Sequence, residues 1–139
     1  MALGKHRDEW KRLAQTRLDD AEVLVKNARY DAAYYLAGYA LECAVKARIA
    51  GLFLEGYFPP KPKYIQDSVY THDLDKLHVA AGLKEVFAQE SESSDEFRKQ
   101  WETVGNWSEQ SRYDTQDQKT AEDMLEAARG VVECIRQFW

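Results

Sequence analysis

Arg112 and Tyr113 close a polar stretch, "NWSEQSRYDTQDQ", just before the last long amphipathic segment. A guanidinium presents a rigid fork of donors that suits carboxylate or phosphate. The pair is therefore a candidate ligand or phosphate contact. It reads equally as a loop anchor, with the tyrosine packed and the arginine bridged to a nearby Asp or Glu. Other chemistry is thinly represented. The histidines are His6, His72 and His78; His72 and His78 are six apart with Asp73 and Asp75 between them, and Asp75 and His78 lie at i, i+3. Two ligands do not make a metal site, so His72 and His78 read as exposed helix residues, with Asp73 favouring the helix N-terminus. Neither Cys43 nor Cys134 has a base close by in sequence. No nucleophile elbow and no glycine-rich phosphate loop occurs. No catalytic residue, metal or cofactor is expected from these patterns.

A second group stands on one helical stripe: Tyr35, Tyr39, Glu42 and Lys46, at i, i+4, i+7 and i+11. Glu42 and Lys46 are in the favourable i, i+4 order, worth a few tenths of a kcal/mol on an exposed helix. Beside two tyrosines on an otherwise apolar helix, the four are also a candidate dimer interface.

These residues must be positioned by helices, because strand-like alternation is almost absent. The periodicity predicts a first helix over Arg7 to Asn27, with Trp10, Ala14, Leu18, Ala21, Val25 and Ala28 on its inner face. Asp31 is the expected N-cap of a second helix over Ala32 to Ala50, and Gly51 the expected C-terminal stop. Ala33, Leu36, Ala37, Ala40, Leu41, Ala44 and Val45 form its core stripe. It is apolar nearly all round, so it must be covered on more than one side. An irregular stretch over 51–71 carries all three prolines and five aromatics, and Pro59 and Pro62 have the spacing of a polyproline ligand. Thr71 is then expected to cap a short helix turned inward by Leu74, Leu77 and Val79 or Ala80 and closed by Gly82. "LKEVFAQ" continues helically to the solvated turn "ESESSDE". Ser93 with Glu96 fits a capping box ahead of the Phe97, Trp101, Val104 stripe. Thr115 with Gln118 fits another, ahead of a final helix whose stripe is Ala121, Met124, Leu125, Ala128, Val132, Ile135 and Trp139. The fold expected is all-α: one domain over 1–139, an up-and-down antiparallel bundle with a short helical crossover and an aromatic, proline-rich loop.

Composition agrees with an ordinary globular chain: 139 residues, 45% hydrophobic and 31% charged. The net charge of −5 opposes a strong general nucleic-acid binder, which needs clustered Lys and Arg. The opening "MALGKHRDEWKRLA" lacks a signal-peptide core and no apolar run reaches membrane-spanning length, so a cytoplasmic protein with buried free thiols is expected, without membrane partners.

The sequence becomes recognisable at the second helix, and over nearly the whole chain, about residues 7 to 138, it resembles the prokaryotic HEPN domain. "NARYDAAYYLAGYALECAVKARI" supplies Tyr30, Ala33, Tyr34, Ala37, Ala40, Glu42, Lys46 and Ala47 of that family's hallmark, and "THDLDKL" and "WSEQSRYD" follow in the family's order. The resemblance implies a helical bundle that dimerises and often works beside a minimal nucleotidyltransferase protein. In catalytic members it implies metal-independent, toxin-like ribonuclease chemistry through an Arg-x(4–6)-His motif. Counting from Arg112, the histidine positions are Asp117, Gln118 and Lys119, and no other arginine is followed by a suitably spaced histidine. The expectation is thus a non-catalytic binding or interaction module, homodimeric, engaging a nucleotidyltransferase partner or a nucleotide or RNA through Arg112, Tyr113 and His72. The competing readings are a divergent ribonuclease using Arg112 with His72 or Asp114, and a purely structural oligomerisation domain.

Overall fold

The computed structural model describes residues 5–58 and 70–139; the proline motif at Pro59 and Pro62, and Tyr64, lie outside them. Among the described residues six α-helices follow in order: α1 (Arg7–Lys26), α2 (Tyr30–Gly51), α3 (Leu74–Ala80), α4 (Lys84–Ser93), α5 (Asp95–Val104) and α6 (Gln118–Ile135). Short 3-10 turns occupy Leu54–Gly56 and Glu109–Tyr113. The bundle is all-α and antiparallel, as the periodicity predicts.

α2 is the centre. It packs along α1 on one side and α6 on another, and also meets α3 and the second 3-10 turn. Its all-round apolar composition is explained by this burial: Ala33, Ala37, Ala40, Leu41, Ala44, Val45, Ile49 and Ala50 are nearly or fully buried. Alanines at the contacts let neighbouring helices approach closely, and each exclusion of apolar area contributes about 25 cal/mol per Å². Met124, Ala128, Val131, Val132 and Ile135 close the core from α6. Arg48 ties the ends together, its Nε–H donating to the Ala81 carbonyl (3.2 Å) and its Nη1–H to the Phe138 carbonyl (3.0 Å).

Several boundaries differ from the sequence reading, each for a local reason. α1 begins on His6, whose Nδ1 accepts from Asp8 N–H while Glu9 accepts from His6 N–H, a reciprocal box in which imidazole takes the serine's place. Ala28 lies beyond α1 rather than on its inner face, with φ at +58°, in the left-handed turn that reverses the chain into α2. Asp31 does not cap α2; it lies in the first turn and accepts from Gln116 N–H at 2.6 Å, fastening the loop before α6 to the start of α2. Gly51 is the last residue of α2, not its stop.

The remaining caps shift likewise. Asp73 caps α3 by accepting from Asp75 and Lys76 N–H, while Thr71 Oγ1 supports it from behind by accepting from Asp73 N–H. Ser94, not Ser93, caps α5, and Asp117, not Thr115, caps α6. In each case a short acceptor stands one or two residues closer to the helix and competes successfully. His78 is not an exposed helix residue. It is 6% exposed, stacks on Phe87 at 5.6 Å, and its Nδ1–H donates to the Asp75 carbonyl. Val79 instead points outward.

Candidate functional site

Glu42 lies on the middle of α2 and is 1% exposed. A carboxylate so placed must be compensated, and two cations or donors converge on it. Lys46 Nζ, one turn on, donates at 3.1 Å, and His72 Nδ1 lies 2.9 and 3.0 Å from the two carboxylate oxygens. Lys46 is itself buried, its ammonium 5.4 Å from the Trp10 ring centre and 6.0 Å from that of Phe58. What the sequence offers as a surface helix pair is therefore an internal one, and its third member arrives from the segment leading into α3.

His72 is half-exposed, and its other ring nitrogen points away from the core. Nε2 lies 3.7 Å from Glu109 Oε1, and Arg112 Nη2 donates to that same oxygen at 3.4 Å. The 3-10 turn Glu109–Tyr113 makes this meeting possible. It is held by a reciprocal Ser108–Ser111 box that leaves Glu109 and Arg112 three residues apart on one side. His72 and Arg112, forty residues apart in sequence, are thus brought to either side of one carboxylate.

Tyr35 and Tyr39 are stacked, their ring centres 6.3 Å apart and nearly parallel. Burial pushes the Tyr35 phenol upward in pKa, and the Arg112 guanidinium beside it pulls the other way. Burial also raises the Tyr39 phenol to about 12 and the Cys43 thiol below it to about 12. Cys43 and Cys134 are free and buried. Tyr113 is 72% exposed, with the Arg112 guanidinium 5.1 Å from its ring centre. Of the candidate interface residues, Glu42 and Lys46 are already buried within the subunit, and Tyr35 and Tyr39 form the half-buried outer part of the stripe. Asp114 is exposed and follows the turn.

Trp107 fixes the floor beneath the turn. Its indole Nε1–H donates to the Tyr35 carbonyl at 3.1 Å, and its ring rests where Gly38 lacks a side chain. Next to it opens a cleft of about 700 Å³ between the start of α3, the end of α5 and the 3-10 turn, with His72 and Glu109 at its edge.

A family model, the HEPN domain, matches residues 8–138. The chain belongs to the HEPN domain family. No curated protein and no solved structure gives a significant match. For this HEPN domain, the order of hallmark residues along the chain acquires a spatial meaning. Glu42 and Lys46 of α2, His72 before α3 and Arg112 before α6 form one connected polar network through Glu109. Sequence reasoning missed Glu109, although its i, i+3 spacing to Arg112 was a usable signal. It also missed the Gly38–Trp107 contact, for which no sequence signal exists. Among the described residues no helix is long and apolar enough to cross a membrane.

Proposed function

We propose that this HEPN domain is a non-catalytic interaction module that works as a homodimer and engages a protein partner, of the minimal nucleotidyltransferase class that the family resemblance implies. The observation that carries this reading is the occupation of Glu109: one carboxylate already takes up both the guanidinium of Arg112 and the outward nitrogen of His72. A phosphate approaching them would have to displace an attached anion and pass Asp73, Asp75 and Glu102 around the neighbouring cleft. That is an unfavourable electrostatic arrangement for RNA. Tyr35, Tyr39 and Tyr113 supply aromatic surface suited to a protein interface.

One observation favours a second reading, metal-independent phosphodiester cleavage. A buried carboxylate holding His72 Nδ1 leaves Nε2 oriented outward, the arrangement that makes imidazole an effective general acid or base. Arg112 would then stabilise charge on the phosphate. The two readings part in one experiment, incubation with single-stranded RNA in EDTA. The interaction reading expects intact RNA for wild type, and co-purification with the nucleotidyltransferase partner. Cleavage that disappears in both His72→Ala and Arg112→Ala would overturn it. A monomer by light scattering at tens of micromolar would remove the homodimer from it.

A further inference from the structure

The cleft beside the polar network combines two features that together define an occupant. Its partly exposed apolar wall is the Trp101 ring, backed by the buried Leu74, Val104 and Trp107, and its edge carries the carboxylates of Asp73, Asp75, Glu102 and Glu109 with no lysine or arginine among the described lining residues. The four acids are not equivalent. Asp73 is spent on capping α3, and Glu109 on Arg112 and His72. Asp75 keeps a largely exposed carboxylate, 3.7 Å from His78 Nδ1, and Glu102 has no ion pair among the described residues. Among the described residues, negative charge is therefore left without a paired Lys or Arg beside the Trp101 ring.

We propose that this cleft docks a cationic segment of a partner protein, an arginine or lysine whose methylene stem lies along the Trp101 ring and whose charged head meets Asp75 and Glu102. The proposal deepens the interaction reading above and rests on it. The physics of the occupant follows from the walls. Long basic side chains cover apolar surface with their stems while keeping the head polar. An indole face attracts the cation, and partial enclosure strengthens the attraction to the carboxylates relative to open water. A polyanion meets the reverse of each term.

The probe is a blocked tetra-arginine peptide, titrated into the full chain by calorimetry and by tryptophan fluorescence, with blocked tetra-glutamate and a short single-stranded RNA alongside. Because the chain carries −5 overall, two double variants with the same charge change separate the cleft from general attraction. Asp75→Asn/Glu102→Gln alters the cleft, and Glu122→Gln/Glu126→Gln alters the exposed side of α6. All four residues are exposed, so folding is retained, as urea midpoints will verify. The expected result is that only the arginine peptide binds, about tenfold more weakly to the cleft variant and within about twofold of wild type for the α6 variant. Equal weakening by both variants, no binding of the arginine peptide, or comparable binding of the glutamate peptide or RNA would each overturn the proposal. RNA cleavage dependent on His72 and Arg112 would overturn the interaction reading instead, without touching the peptide result.

Discussion

Gly38→Ala tests the packing under the site most directly. Gly38 sits mid-helix in α2, where alanine would ordinarily stabilise by about 1 kcal/mol through helix propensity. A Cβ built there, however, falls 2.2 Å from Trp107 Cδ1, 2.3 Å from Nε1 and 2.4 Å from Cγ. Carbon contacts relax at about 3.5–4.0 Å, so the indole must retreat by more than an ångström. It has little room: Trp107 is 5% exposed, hydrogen-bonded to the Tyr35 carbonyl and packed against the Tyr35 ring at 5.7 Å. Losing that bond costs about 1 kcal/mol and overpacking a further 1–3 kcal/mol. Against the propensity gain, a net loss of about 2 kcal/mol results. Gly130→Ala is the matched control. Its Cβ would fall 2.1 Å from Gln100 Oε1, an equally short approach, but the obstacle is the end of a flexible side chain on a partly exposed surface. That amide can swing aside, so Gly130→Ala is expected to be neutral or stabilising. Urea denaturation followed by circular dichroism and tryptophan fluorescence measures both. Gly38→Ala as stable as wild type, or Gly130→Ala losing as much as Gly38→Ala, would refute the reasoning.

Three further outcomes follow from other parts of the fold. Glu42→Ala leaves the Lys46 ammonium buried without its carboxylate and frees His72 Nδ1, so it should cost about 3 kcal/mol in urea melts; Glu42→Gln should cost less, and a loss under about 1 kcal/mol for the alanine variant would show the pair to be dispensable. Ala28→Gly relieves an L-residue at φ +58° and should stabilise by about 0.5–1 kcal/mol once glycine's entropy is counted, visible as a higher thermal midpoint. Burial holds the Cys43 thiol up at about 12 and that of Cys134 at about 11, against 9.0 for a free thiol. Their contribution is therefore complete below about pH 9 and lost as pH rises toward 11–12, because the unfolded chain releases protons that the fold retains. Urea midpoints should fall between pH 8 and 10, less steeply in Cys43→Ala, and both thiols should resist alkylation at pH 8 until the chain unfolds.

The all-α class, the order of the described helices and one inner stripe of each long helix were legible in the sequence because they depend on period. All of the predicted α2 stripe but Leu36 is buried, while Tyr34, Gly38, Glu42, Cys43, Lys46, Ala47, Ile49 and Ala50 are buried outside it, and the predicted α6 stripe is buried as far as Ile135 but not at Trp139. Caps were legible only approximately. Where two short acceptors stand side by side, as Ser93 and Ser94 do, backbone geometry chooses between them. The site was legible as ingredients. His72, Arg112, Glu42 and Lys46 could be named, but the distance between His72 and Arg112 depends on how the crossover folds back across α2, which no local pattern encodes.

By itself, then, the sequence determined an all-α bundle built around one alanine-rich helix, since hydrophobic period and burial of a helix apolar on all sides admit little else. Only the tertiary structure decided that Glu42 and Lys46 face inward, that Glu109 stands between His72 and Arg112, and that Gly38 exists to admit an indole. Those are contacts between elements thirty to seventy residues apart, fixed by packing free energy summed over the whole core rather than by any run of neighbouring residues.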